Sequence, residues 1–222
     1  MRIPKFKNKD LLENAFIHRS YLNEHPECQL SSNERLEFLG DAVLEFLTSE
    51  HLYKTYDKEP EGRLTAYRSS LVKTETLAEV AKKLKFGERL KLSRGEDESG
   101  GRESEYLLAD TFEAFLGALY LDQGIPACRK FLEEHLFPKL EEIVATGAYK
   151  DYKSLLQEIA QEKVSFTPTY KVLDEWGPDH NKTFKVGVFI HNKMEGVGEG
   201  SSKQRAEVSA AEDALKKLGW AQ

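Results

Sequence analysis

Several absences narrow the class of this 222-residue chain before any motif is read. Cysteine is scarce: Cys28 and Cys128 are the only two, a hundred positions apart. That is neither a disulfide framework nor a paired zinc-ligand spacing, and reduced thiols are the default of a cytoplasmic protein. No apolar run approaches the roughly 18 residues of a membrane-spanning helix. Met1–Asp10 is too polar for a signal peptide, so a cytoplasmic location without a membrane partner is expected. Bulk positive charge is also missing, with 32 Lys and Arg against 38 Asp and Glu and a net charge of −6. Residues 151–222 carry 10 basic and 11 acidic side chains, a net of −1, which leaves −5 for residues 1–150. Any affinity for a polyanion must therefore come from local clustering of lysines and arginines. There is no glycine-rich phosphate loop ending in Lys-Ser/Thr, no Ser-His-Asp or Cys-His set and no internal repeat, and no small-molecule cofactor is expected.

What is present is a pair of acidic clusters set in apolar helical patterns. In Asn33–Leu47 (NERLEFLGDAVLEFL), Glu34, Glu37 and Asp41 recur at spacings of three and four. Those spacings stack side chains on one helix face, roughly 5–6 Å apart at Cβ. Leu36, Leu39, Val43, Phe46 and Leu47 form the expected buried stripe. By itself the acidic edge reads equally well as a solvated face. The second cluster is harder to dismiss. Tyr106–Leu121 (YLLADTFEAFLGALYL) is apolar nearly all round, as a core helix would be, yet it contains Asp110 and Glu113. Two ionised carboxylates buried without partners would cost several kcal/mol each. They are therefore paired with basic groups, protonated or bound to a metal.

The rest of residues 1–145 also reads as helix. Phe6–Glu24 has Leu11, Leu12, Ala15, Phe16 and Tyr21 at helical spacing, with His18 inside it as a structural histidine. Ser31 or Ser32 is the expected N-cap of the helix that follows. That helix continues to about Tyr53, and Asp57–Gly62 is a turn. Arg63–Leu84 reads as two helices broken near Lys73 and Thr74, and Arg94–Glu105 as an exposed, mobile, glycine-rich loop. Cys128–Ile143 reads as one further helix.

Residues 146–150 form a short linker, after which the hydrophobic period changes. Tyr152–Lys163 is helical, with Leu155, Leu156, Ile159 and Ala160 on one side. Thr169–Trp176, Phe184–Ile190 and Met194–Gly200 read as strands. A last helix spans Ser202–Leu218, with Ser201 and Gln204 at capping-box spacing. The expected architecture is an all-α domain over residues 1–145, followed by a small α-β-β-β-α domain over 151–222.

If the two acidic helices pack face to face, Glu37, Asp41, Asp110 and Glu113 converge. An all-oxygen set suits Mg²⁺, with Mn²⁺ as a substitute, and not zinc or copper. Di-iron bundles carry a His three residues after a Glu, whereas Gly40 follows Glu37 and Leu116 follows Glu113. Carboxylate-held Mg²⁺ is an arrangement used for phosphodiester hydrolysis. In the second domain, Lys203 and Arg205 at a helix N-terminus suit phosphates, Gln157 and Gln161 lie one turn apart, and His180 sits at a loop tip. That combination matches recognition of double-stranded RNA by shape.

With these residues in view, the chain resembles bacterial ribonuclease III. The runs NERLEFLGDAVL (Asn33–Leu44), LLADTFEA (Leu107–Ala114) and IHRSY (Ile17–Tyr21) look like that family's nuclease motifs. KSLLQE (Lys153–Glu158), GPDH and GEGSSKQRAEVSAA (Gly198–Ala211) look like its double-stranded RNA-binding domain. The resemblance implies a Mg²⁺-dependent endoribonuclease that leaves 5′-phosphate and 3′-hydroxyl ends with staggered 3′ overhangs, and a role in processing ribosomal RNA precursors and other structured transcripts. By motif position the metal ligands are Glu37, Asp41, Asp110 and Glu113, with Asp41 and Glu113 the most demanding for catalysis. Glu34 and Glu61 match supporting cleft acids, and Glu96 is a further candidate. Phe38 matches an aromatic that enters a socket on the partner of a homodimer. Ser154, Gln157, Glu158, Gln161, His180, Ser202, Lys203, Gln204 and Arg205 match the RNA contacts. Gln204 departs from the pattern, standing where the family usually has a second lysine. Two other readings use the same residues: a catalytically silent RNA-binding regulator on this scaffold, and a helical interaction protein whose acids are salt-bridged.

Overall fold

The computed structural model describes residues 3–147, 149, 151–178 and 182–220. The chain divides into two compact units, Met1–Tyr149 and Lys150–Gln222.

The first unit is helical. Its elements are α1 (Lys9–Asn14), α2 (Arg19–Glu24), α3 (Glu34–Thr55), α4 (Glu61–Leu71), α5 (Thr74–Lys83), α6 (Arg94–Glu98), α7 (Glu105–Gln123), α8 (Ile125–His135) and α9 (Pro138–Thr146). Helix α7 is the axis of the core, its Leu108, Phe112, Phe115, Leu116 and Leu119 all being buried. Phe115 meets Phe6, Phe86 and Phe131 at ring separations of 5.0–5.4 Å. The broad apolar coat of this helix follows from contact on several sides, including α1, α3, α5 and α8.

The decisive contact is between α3 and α7. A Cβ placed on Gly40 would lie 1.8 Å from the carbonyl oxygen of Glu113, and one on Gly117 would lie 2.2 Å from that of Leu36. The two backbones therefore touch where each helix has no side chain. Alanine would gain about 1 kcal/mol of helix propensity over glycine, but overpacking costs more.

The structure corrects several expectations. Phe6–Glu24 is not one helix. The chain leaves α1 at Ala15 so that Ile17 bridges Lys91 and accepts a hydrogen bond from the Asn33 N–H at 2.8 Å. The N-cap position of α3 is Asn33, with no side-chain capping bond, and not Ser31 or Ser32; the Ser32 hydroxyl donates to the Glu34 carboxylate instead. Phe46 leaves the expected core stripe and is 57% exposed, while Leu36, Val43 and Leu47 are buried. Residues 94–105 are not a mobile loop. Arg102 binds both carboxylate oxygens of Asp97 at 2.7 and 2.9 Å and the carbonyls of Gly87 and Leu90 at 3.0 and 2.8 Å. Cys128–Ile143 is broken into α8 and α9, because Pro138 starts a new helix. Helix α9 ends at Thr146 with Gly147 in the left-handed region, and Tyr149 packs edge-on against Tyr67 at 4.6 Å.

The second unit comprises α10 (Tyr152–Val164), β1 (Thr169–Trp176), β2 (Thr183–Ile190), β3 (Lys193–Gly200) and α11 (Lys203–Lys217). The strands form one antiparallel sheet in the order β1-β2-β3. Its core joins Leu156 and Ala160 of α10, Val188 and Ile190 of β2, and Ala210, Ala211, Ala214 and Leu215 of α11. Leu155, expected on the inner side of α10, is partly exposed. Helix α11 lies close on β3 because alanines meet glycines: a Cβ on Gly198 would sit 2.2 Å from the Ala210 nitrogen. Its cap is Ser202, which accepts from the Arg205 N–H at 3.2 Å, and not Ser201. Among the described residues, no helix is long and apolar enough to cross a membrane.

The crossing gives a stability prediction. Gly40→Ala should lower the unfolding free energy in urea by about 2 kcal/mol or more. Gly62→Ala, at a helical position with open space around it, should be neutral or slightly stabilising.

Candidate active site and nucleic-acid interface

The α3–α7 crossing fixes where the acids fall. Glu37 and Asp41 flank Gly40 on α3, and Asp110 and Glu113 lie two turns and one turn before Gly117 on α7. Their charges meet at Glu113 and Glu37. Burial is the first cause of the rise in the Glu113 carboxyl, which is pushed up to about 8, followed by the charges of Asp41, Asp110, Glu37 and Glu45. Glu37 is raised by burial and then by Asp110, Glu34 and Asp41. Asp110 is raised by burial, with the imidazole of His18 opposing the rise.

Among the described residues none of these four carboxylates forms an ion pair, although α3 holds others nearby. Glu45 binds Arg68 at 3.0 Å, and Glu50 binds Lys54 at 2.7 Å and also Arg129. The cations within reach serve the flanks of the acid cluster and leave its centre uncompensated. An all-oxygen set of this kind suits a hard divalent cation. The carboxylates share a field and not a closed cage: among the described residues no three His, Cys, Asp or Glu side chains already stand close enough to hold an ion.

Beside the acids runs a cleft of about 370 Å³, lined by His18, Arg19, Asn33, Glu34, Glu37, Leu90, Leu107, Asp110 and Thr111. Glu34 belongs to it and lies 3.6 Å from Arg19. Asp41 and Glu113 are not in its lining. Glu61 does not join the cluster: it accepts from the Thr65 hydroxyl at 2.9 Å and is not among the charges acting on Glu37 or Glu113. Glu96 sits in the first turn of α6, where its N–H is capped by Ser93. Sequence reasoning treated His18 as structural and passed over Arg19, Asn33 and Thr111. The one local signal was the His-x-Ser spacing of a helix cap.

Away from the cleft, α3 presents an apolar stripe. Phe38 is 81%, Phe46 57% and Tyr53 75% exposed, at helical spacing along one face.

In the second unit, Ser154, Gln157, Glu158 and Gln161 are exposed on one face of α10. Asp151 caps that helix by accepting from both the Ser154 N–H and its hydroxyl, at 3.1 and 2.7 Å. Lys203, Gln204 and Arg205 open α11 and are exposed, with Lys203 over the Phe184 ring at 5.8 Å and Arg205 donating to the Ser201 hydroxyl at 3.1 Å. Helix N–H groups and two cations at one terminus suit anion binding. His180 lies outside the described residues.

The raised Glu113 has a thermodynamic consequence. The folded state holds this proton up to about pH 8, whereas the unfolded chain releases it near 4.5. Between those values the folded state binds more protons, so this group's contribution to stability falls as pH rises. In chelator, Glu113→Gln should therefore gain stability over the wild type progressively from pH 4.5 to 8. Urea unfolding across that range measures the difference, and a pH-independent difference would contradict the assignment.

Comparison with known proteins is consistent at every scale. A family model described as ribonuclease-III-like matches residues 8–140, and a double-stranded RNA binding motif matches residues 152–218. The ribonuclease 3 of Enterococcus faecalis is 47% identical over 216 residues, covering 96% of this chain and 92% of its own length. That of Oceanobacillus iheyensis is 48% identical over 216 residues, covering 96% and 93%. A solved nuclease domain of the Campylobacter jejuni ribonuclease III, described for flexibility in a region involved in dimer formation, superposes with a TM-score of 0.54 at 35% identity. It covers 59% of this chain and 87% of its own. With a matched nuclease domain followed by a matched RNA-binding motif and whole-length relatives near half identity, the chain belongs to the ribonuclease III family of endoribonucleases acting on double-stranded RNA.

Proposed function

We propose that this endoribonuclease cuts double-stranded RNA with the help of Mg²⁺ held by Glu37, Asp41, Asp110 and Glu113. The observation that carries the reading is the uncompensated cluster: Glu113 is pushed up to about 8 by burial and by neighbouring carboxylates. A structural role would have supplied a basic partner. When bound, the metal contributes Lewis acidity, activating water and neutralising charge that builds on the scissile phosphate. The protein's own part is to hold the carboxylates in register through the α3–α7 backbone contact and to keep Glu37, Asp110 and Glu113 partly out of water, where their field is strong. Glu34 and Arg19 shape the cleft mouth as a pair. Glu61, turned toward Thr65, acts as a supporting acid at most.

The products would carry 5′-phosphate and 3′-hydroxyl ends with staggered 3′ overhangs, and the natural substrates would include ribosomal RNA precursors. The staggered cut requires two sites, and a homodimer supplies them. The exposed stripe of Phe38, Phe46 and Tyr53 on α3 supports that assembly, since a protein rarely leaves such a row in water. Phe38 is the anchor. The RNA-binding unit holds the duplex through Ser154, Gln157, Glu158 and Gln161 on α10 and Ser202, Lys203, Gln204 and Arg205 at the start of α11, with His180 as a loop contact. Arg205 stands in for the phosphate cation that Gln204 does not provide.

Incubation with a long perfect RNA duplex tests the whole reading. Cleavage is expected with Mg²⁺, none with EDTA, and a loss of at least about 10³-fold in Glu113→Gln with duplex binding retained. Binding with no metal-dependent cleavage would instead support a catalytically silent regulator. Phe38→Ala should shift the sedimentation of the protein toward monomer. Lys203→Ala should weaken duplex binding and lower the slope of log affinity against log salt by about one.

A further inference from the structure

One side chain in the cleft wall is left unused by this chemistry. His18 lines the cleft with Glu37 and Asp110, and its ring nitrogens are not equivalent. The Ser20 backbone N–H donates to His18 Nδ1 at 3.3 Å. A backbone amide can only donate, so Nδ1 is the acceptor and carries no proton. The Ser20 hydroxyl lies 2.8 Å from the same Nδ1 and itself accepts from the Ser93 N–H at 3.0 Å. That hydroxyl therefore has its own hydrogen to give to the ring. Two donors on Nδ1 place the proton of the neutral imidazole on Nε2. Nε2–H is a donor, which rules it out as a metal ligand.

The other donors around the cleft already have partners on the protein, although the exposed Arg19 guanidinium keeps N–H groups to spare. Asn33 Nδ2 donates to the Ala15 carbonyl at 3.4 Å, and the Thr111 hydroxyl to the Leu107 carbonyl at 2.5 Å. The Arg19 guanidinium stands 3.6 Å from the Glu34 carboxylate. Among the described residues, no hydrogen bond engages His18 Nε2. Glu34, Glu37 and Asp110 in the cleft wall repel an incoming phosphate, Arg19 offsets Glu34 at one side, and the His18 N–H, held in place by its cap, offsets the repulsion at a single oxygen beside Glu37 and Asp110. We propose that His18 touches the substrate, donating its Nε2–H to a non-bridging phosphate oxygen of the RNA strand in the cleft. The inference rests on the reading of this cleft as the nuclease site. A ribose 2′-hydroxyl also accepts hydrogen bonds, but a charged phosphate oxygen makes the stronger one.

Two substitutions separate the donor from the helix cap. His18→Asn keeps an acceptor near Nδ1 and so keeps the cap, but has nothing at Nε2. His18→Gln puts an amide nitrogen near Nε2 and gives up the cap. In the full-length protein, His18→Asn should melt like the wild type and bind duplex RNA equally well in chelator. At saturating duplex with Mg²⁺ it should cut about 10- to 100-fold more slowly in a single turnover. His18→Gln should stay within about threefold of the wild type, whatever its melting temperature. A duplex with 2′-deoxy sugars beside the cut should leave the ratio of wild type to His18→Asn unchanged, and collapse of that ratio would overturn the phosphate assignment. His18→Asn cutting at the wild-type rate, or His18→Gln falling as far as His18→Asn, would overturn the donor role. A wild type that leaves the duplex uncut would overturn the nuclease reading and this inference together. A wild type that cuts, beside an equally active His18→Asn, would overturn the inference alone.

Discussion

Two helices in this protein touch backbone to backbone, and the site depends on that contact. Gly40 of α3 and Gly117 of α7 leave no room for a Cβ against the opposing carbonyls of Glu113 and Leu36. The close approach of the two backbones brings the acids beside the crossing within one another's field. The same proximity that packs the core makes the carboxylates repel. Glu113 answers by holding its proton to about pH 8. The cluster is a local cost, maintained by the surrounding aromatic core of Phe6, Phe86, Phe115 and Phe131.

Helix α3 presents two different faces. Its inner edge, with Leu36, Gly40, Val43 and Leu47, is buried against the core, and Glu37 and Asp41 emerge beside that seam. Its outer edge shows Phe38, Phe46 and Tyr53 to solvent. A change of pairing along the outer edge would be felt at the acids through a rigid 22-residue helix. The RNA-binding unit obeys a different rule, in which small residues bring α11 down on β3 and leave the helix start, with Lys203 and Arg205, open.

Much of this was legible in the sequence because it is local. Spacings of three and four put Glu37 with Asp41 and Asp110 with Glu113 on single faces, and the change from helical to alternating period after residue 150 marked the second unit. What failed depended on distant partners. Phe46 fits the apolar stripe of α3 by spacing but stands 57% exposed. The continuous pattern of Phe6–Glu24 hid a break imposed by Lys91 and Asn33. Residues 94–105 looked unstructured because their order comes from Arg102 reaching the carbonyls of Gly87 and Leu90. Pro138 was a local signal, and the amphipathic pattern on both sides of it concealed the new helix start. The role of His18 needed Ser93, a residue 73 positions beyond Ser20, to become visible.

The central claim is that the crossed helices hold a proton-bearing carboxylate cluster awaiting a divalent cation. Proton release on metal binding tests it most directly. Titration calorimetry of Mg²⁺ or Mn²⁺ into the protein at pH 7, in two buffers of different ionisation enthalpy, reads the number of protons displaced. The account predicts a buffer-dependent heat in the wild type, because Glu113 must give up its proton to serve as a ligand, and its loss in Glu113→Gln. Binding without buffer dependence, or the same dependence in both proteins, would contradict it.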